Sequence, residues 1–320
     1  MLAPAQPTMT PKMSVAKNRN FALARAFEAL PDAWSFIVMQ ECFWGRTRFE
    51  AFLGASSIPR ATLTARLKSL CKAGLLRKVA YSSRPVRYEY GLTDKGNALF
   101  PAFVALSQFG NAWLHSIEAP EQLLHKPCNC PTEPSVVCSC CLLPLDARDV
   151  SYRRNMNVRI PSQPSLKRAR RSAESTEFLV GRSSAFSRAL HVVGNRWSGQ
   201  ILGEAFWGAS KFDEFHSRLK IGPNVLTDRL TRFVTQGVFE RFLYQSIPDR
   251  FEYRLTEMGL ALHSFLILLT EWGDKWMGKG GARSTILTHK ICNKDFTPRL
   301  ICDQCSKVIT SGSIKIPVIP

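Results

Sequence analysis

Two sets of residues in this chain have the types and spacing that metal chemistry uses. His125-x2-Cys128-x9-Cys138-x2-Cys141 recurs as His289-x2-Cys292-x9-Cys302-x2-Cys305, displaced by 164 residues. Three thiols and one imidazole suit a tetrahedral Zn²⁺, and four protein donors leave no coordination position open for a substrate. The expected role is therefore a structural ion in each tail, with a thiol redox switch as the alternative. Cys130 and Cys140 have no counterpart in the repeat, and with Cys42 and Cys71 they read as spare thiols.

The second kind of chemistry is electrostatic. A net charge of +18 and a pI near 9.8 point to a polyanionic partner, for which nucleic acid is the first choice. Residues 1–20 hold Lys12, Lys17 and Arg19 but no apolar core, so they read as a mobile leader and not a signal peptide. The run Leu260 to Leu269 is too short to span a bilayer. Ten cysteines without a secretory signal imply a reducing compartment, so the expected location is cytoplasmic, away from membranes. No nucleophile–base set, phosphate loop or carboxylate pair accompanies the histidines, and no enzymatic activity is expected.

The elements that must position these groups are written twice. An offset of 163 residues carries Trp34 onto Trp197, Glu41 onto Glu204 and Phe43-Trp44-Gly45 onto Phe206-Trp207-Gly208. It also carries Phe49, Phe52, Ile58, Leu63-Thr64 and Arg66-Leu67 onto Phe212, Phe215, Ile221, Leu226-Thr227 and Arg229-Leu230. A repeat this long is a duplicated domain, too long for a solenoid unit. In each copy the apolar period is helical to about Gly74, alternates through a hairpin, and becomes helical again. Two helices, a helix-turn-helix, a hairpin and a long helix make a winged helix. The fold class is α+β, mainly α: tandem winged helix-turn-helix domains, each followed by a Cys/His knuckle.

The expected organisation is a leader at 1–20, winged domains at 21–117 and 178–280, knuckles at 122–150 and 286–316, and a basic linker at 151–177. The last holds Arg153-Arg154 and Lys167-Arg168-Ala169-Arg170-Arg171. The closing helices, with Phe103, Phe109, Trp113 and Phe265, Leu269, Trp276, are expected to join copy to copy or chain to chain. That would make an intramolecular pseudo-dimer or a homodimer.

The stretch Trp34 to Trp113 resembles the HxlR-type winged helix-turn-helix regulators of bacteria. The resemblance rests on the Trp and Glu of the second helix, the Trp-Gly before Phe49 and Phe52, and Leu63-Thr64-x-Arg66-Leu67. Gly74-Leu75 and Tyr88-Glu89-Tyr90-x-Leu92-Thr93-x-x-Gly96 continue it, and the second copy repeats the set with Phe251 in place of Tyr88. Such regulators are dimeric and bind double-stranded DNA. The resemblance therefore implies a sequence-specific transcription regulator, a dimer in one polypeptide reading two half-sites.

A recognition helix presents its N-terminal residues to base edges in the major groove. In copy one these are Arg60, Thr64 and Lys68; in copy two, Asn224 and Thr227. Arg pairs bidentately with guanine and Asn suits adenine, so the two half-sites need not be identical. Wing cations Arg84, Arg87 and Arg250 would reach the backbone or minor groove. Arg66 and Arg229 are either phosphate clamps or ion pairs within their own domains. Two other readings stay open: a sensor with the cysteine tails as input, and a scaffold that has lost base readout.

Overall fold

The computed structural model describes residues 21–114, 122–158, 184–278 and 282–315. The leader, most of the linker and the end of the first winged domain expected to 117 lie outside these residues.

Copy one begins with α1 (Phe21–Ala29) and α2 (Ala33–Phe43), then α3 (Phe49–Ser56) and α4 (Arg60–Lys72). Pro31 separates the first two helices, and Asp32 starts the second by accepting the Ser35 amide at 3.0 Å. Leu63, Leu67 and Leu70 turn inward from α4 and are fully buried. The wing is the antiparallel pair β1 (Leu76–Ser83) and β2 (Val86–Leu92). The expected closing helix is broken in two, α5 (Asp94–Asn97) and α6 (Phe100–Trp113). Thr93 caps α5, and its hydroxyl also donates to the Gly74 carbonyl at 2.7 Å, tying wing to helix.

The first tail follows as β3 (Leu123–His125), β4 (Cys130–Thr132), β5 (Ser135–Cys138) and β6 (Val150–Arg154). Arg153 and Arg154 thus belong to a strand and not to the linker expected from 151. Copy two repeats the order: α7 (Ala185–Val193), α8 (Arg196–Phe206), α9 (Phe212–Leu219), α10 (Pro223–Thr235), β7 (Phe239–Ser246), β8 (Asp249–Leu255), α11 (Glu257–Ala261) and α12 (His263–Met277). Its tail is β9 (Thr285–His289), β10 (Lys294–Phe296), β11 (Pro298–Ile301) and β12 (Ile314–Lys315).

The two copies pack on each other within the chain. Helix α1 lies along α12, α7 lies along α6, and α6 meets α12, so each copy's first helix rests on the other's closing helix. Small residues make the approach possible. A Cβ on Gly110 would lie 2.0 Å from the Ala185 carbonyl oxygen, and one on Gly273 would lie 2.2 Å from that of Ala22. Phe103 stacks on Phe186 at 5.1 Å, and the Trp272 indole donates to the Lys95 carbonyl at 2.9 Å. The expected junction residues Phe103, Phe109, Phe265 and Leu269 are buried and Trp276 packs partly buried against the core, whereas Trp113 is 39% exposed at the helix end.

The tails are interwoven. β5 pairs antiparallel with β11, β6 of the first tail adds to β9 of the second, and β12 of the second adds to β3 of the first. No helix among the described residues is long and apolar enough to cross a membrane.

Candidate nucleic-acid interface and metal centres

In both copies the turn into the recognition helix carries a residue in the left-handed region, Ser57 at φ 51° and Lys220 at φ 52°. This fixes how α4 and α10 leave the preceding helix. Arg60, Thr64 and Lys68 stand exposed along α4, and Asn224 and Thr227 along α10. The Arg60 guanidinium contacts both carboxylate oxygens of Glu50, at 2.9 and 3.3 Å, over the Phe49 ring. Both partners are exposed, so the pair is worth little and can open to a nucleic acid. The Thr64 hydroxyl turns back to the Arg60 carbonyl at 2.9 Å. Arg84 and Arg87 project from the first wing and Arg250 from the second, the last 3.4 Å from Asp213.

Arg66 and Arg229 do not join this face. Arg66 reaches Asp32 at 2.6 Å, linking α4 to the start of α2, with both side chains largely covered. Burial raises the Asp32 carboxyl above its ordinary range, and the Arg66 charge opposes that shift. Arg229 is buried, 3.7 Å from Asp228, and lines one small crevice with Asn195 and Ser198. Arg66 is thus ion-paired within its own domain, and Arg229 is buried beside Asp228.

Copy one also exposes cations that base-reading logic left out. Lys72, Arg77 and Lys78 are exposed on the end of α4 and on β1. Their repeat positions are Thr235, Glu240 and Arg241, and the positions of Lys68 and Ala65 become Thr231 and Asp228. Copy one is thus the more cationic of the two. Aligning the repeat and subtracting charges shows it from sequence, beginning with the loss of counterparts to Arg60 and Lys68 in the second recognition helix.

The eight expected metal ligands form two groups, but each group draws on both tails. His125, Cys128, Cys302 and Cys305 make one; Cys138, Cys141, His289 and Cys292 make the other. In each, the donor atoms lie within 4.8 Å of one another. The expectation of one site within each tail is therefore corrected. Pairing of β5 with β11 sets the Cys-x2-Cys end of each tail beside the His-x2-Cys hairpin of the other.

The distances suit a tetrahedral ion. Sγ–Sγ separations are 3.8 Å for Cys128–Cys302 and 3.9 Å for Cys138–Cys292. Nδ1 of His125 lies 3.3 Å from both Cys128 and Cys305, and Nδ1 of His289 lies 3.3 Å from Cys141 and 3.5 Å from Cys292. Zn–S bonds of about 2.3 Å and Zn–N bonds of about 2.0–2.1 Å imply tetrahedral edges of about 3.8 and 3.6 Å. Nε2 of each histidine is buried against protein, which leaves Nδ1 as the ligating nitrogen. Burial pushes the Cys302 thiol up, but hydrogen bonds from the Thr132 hydroxyl and from the Gln304 and Cys305 amides outweigh it, holding the thiol below its ordinary value. Cys42, Cys71, Cys130 and Cys140 stand outside both groups.

Residues 29–118 and 192–280, more than half of the chain, match the HxlR-like helix-turn-helix family. An uncharacterized HTH-type transcriptional regulator of Mycobacterium tuberculosis is 39% identical over 127 residues, 40% of this chain and 80% of that protein. One from Bacillus subtilis is 33% identical over 27% of this chain and 69% of its own length. A solved structure of a candidate transcription factor from Pseudomonas aeruginosa is 34% identical, covering 34% of this chain and 73% of its own, with a TM-score of 0.27.

Proposed function

The chain belongs to the HxlR-like helix-turn-helix family, and from that premise we propose that it is a DNA-binding transcription regulator whose two winged domains read unlike half-sites. The observation that carries this is the exposed, charged face of α4 beside its wing, set against a differently charged α10. Arg60, Thr64 and Lys68 contact bases or neighbouring phosphates, with Arg84 and Arg87 on the backbone. Asn224, Thr227 and Arg250 serve the second half-site. Copy one supplies most of the electrostatic attraction through Lys72, Arg77 and Lys78.

In this reading each crossed Cys3His group holds one structural Zn²⁺, which would cross-link the two tails. The zinc contributes folding energy and takes no part in a reaction. Closed four-ligand shells favour this over a redox input.

The test is selection of bound DNA from random duplexes by the full chain, under reducing conditions, followed by measured affinities. An asymmetric two-part site is expected. Arg60→Ala should weaken binding about 5- to 150-fold at one part only, as loss of 1–3 kcal/mol of base discrimination implies. Asn224→Ala should act on the other part. Enrichment of no sequence would overturn the proposal.

A further inference from the structure

A cavity of about 600 Å³ opens beside the first winged domain. Its wall is aromatic: Phe43 and Trp44 at the end of α2, and Phe100 at the start of α6. The repeat offset turns these into Phe206, Trp207 and His263, and at that place in copy two the space is filled by the chain itself. Tyr152, carried in on β6, lies 5.6 Å from the Trp207 ring and meets His263 edge-on. Its hydroxyl is 2.5 Å from His263 Nε2, and Phe206 packs on the same imidazole at 5.2 Å. A phenol side chain is therefore the shape this aromatic corner accepts; with Phe100 in place of His263, a hydroxyl in the copy-one corner would turn to Gln40, Glu133 or Asp303. In copy one no described residue stands in that position.

We propose that the open corner binds a small, uncharged aromatic molecule bearing a hydroxyl or amine, packed against Trp44 as Tyr152 packs, tilted, against Trp207. The volume suits one of two or three rings. The polar side of the cavity holds Gln40, Glu133 and Asp303, and among its described lining residues none is Lys, Arg or His. An aromatic carboxylate would meet like charge with no compensating cation, so it is excluded. Asp303 is fixed as an acceptor by the Thr132 hydroxyl at 2.6 Å and the Glu133 amide at 3.1 Å.

The site joins elements that matter elsewhere. Helix α2 backs the recognition helix, and Asp303 lies between the metal-group members Cys302 and Cys305. Resting on the regulator reading above, the ligand is an effector that alters DNA affinity.

The experiment is calorimetric titration of the full, reduced, zinc-loaded chain with 2-naphthol and with 2-naphthoate. One saturable 2-naphthol site per chain is expected, with at least tenfold weaker binding of the carboxylate. Ser107→Trp, which fills the cavity from α6, should reduce 2-naphthol affinity at least tenfold. Tyr152→Ala should open the second corner, giving two sites and a melting temperature raised by phenol. No saturable binding, equal binding of both probes, or indifference to Ser107→Trp would overturn the site. So would binding that appears only when residues 316–320 are deleted. Ile316 stands at the repeat position of Tyr152, and that result would make the chain's own end the occupant. DNA affinity measured with and without 2-naphthol separates the two proposals. Tight, selective DNA binding that ignores the bound ligand overturns the effector role alone, and loss of all DNA selectivity overturns the regulator reading while calorimetry still judges the site.

Discussion

At the scale of single residues, one substitution between the copies bears on the Arg66 ion pair. The N-caps Asp32 and Asn195 face each other in a single antiparallel bridge, and Arg66 pairs with the charged one. Arg66→Ala leaves a buried carboxylate unpaired, so the chain should lose about 3 kcal/mol in urea unfolding while selecting the same DNA sequence. A changed sequence preference with unchanged stability would restore the phosphate-clamp reading. His263 gives a pH signature. Complete burial lowers its pKa from 6.5 to about 4, against a weak opposing pull from Asp146. The unfolded imidazole takes a proton that the folded one refuses. Stability should therefore fall as the pH drops from about 6.5 towards 4, by up to about 3 kcal/mol. His263→Gln keeps a hydrogen-bonding group for Tyr152 and should remove that part of the slope, measured as the difference between the two unfolding series.

Between elements, the copies fit as unlike halves. Phe27 of α1 fills the place that a side chain on Gly199 of α8 would need, since a Cβ there would lie 1.9 Å from the ring. The repeat positions are Leu190 and Phe36, so large and small residues exchange across the junction. Gly199→Ala should overpack it and cost about 1–3 kcal/mol by thermal denaturation. Phe27→Leu added to Gly199→Ala should recover most of that loss, because the smaller side chain frees the space. Absence of any coupling in this double-mutant cycle would show that the ring moves aside freely.

For the molecule as a whole, the crossed metal groups have a stoichiometric signature. His125 and Cys302 share a group although 177 positions separate them in number, whereas His125 and Cys138 share a tail but not a group. With two zincs in the parent chain, the double substitution His125→Ala with Cys302→Ser should leave one per chain by elemental analysis. His125→Ala with Cys138→Ser should leave none. The reverse pattern would mean that each tail closes on itself. Because each ion would bridge both tails, chelation should also lower the cooperativity of unfolding for the whole tail assembly and not for one knuckle.

How much could be read without coordinates follows from the range of the forces involved. Helical and alternating periods are local, so the winged domains, the hairpins and the Asp32 cap were legible, and the duplication made the eight members of the two His/Cys groups legible too. The partner of Arg66 and the exposure of Trp113 were not, since a cation or an aromatic at helical spacing does not say which neighbour it will meet. Nor could spacing assign four ligands to each ion: two identical donor sets can close within or across tails, and the β5–β11 pairing chose the crossing. The same holds for the cavity beside Trp44 and for the strand β6 that delivers Tyr152 to the corresponding corner of copy two. Donor types, charge and periodicity were determined by the sequence itself. Partnership between segments far apart in the chain was decided only by the packing of the two copies against each other.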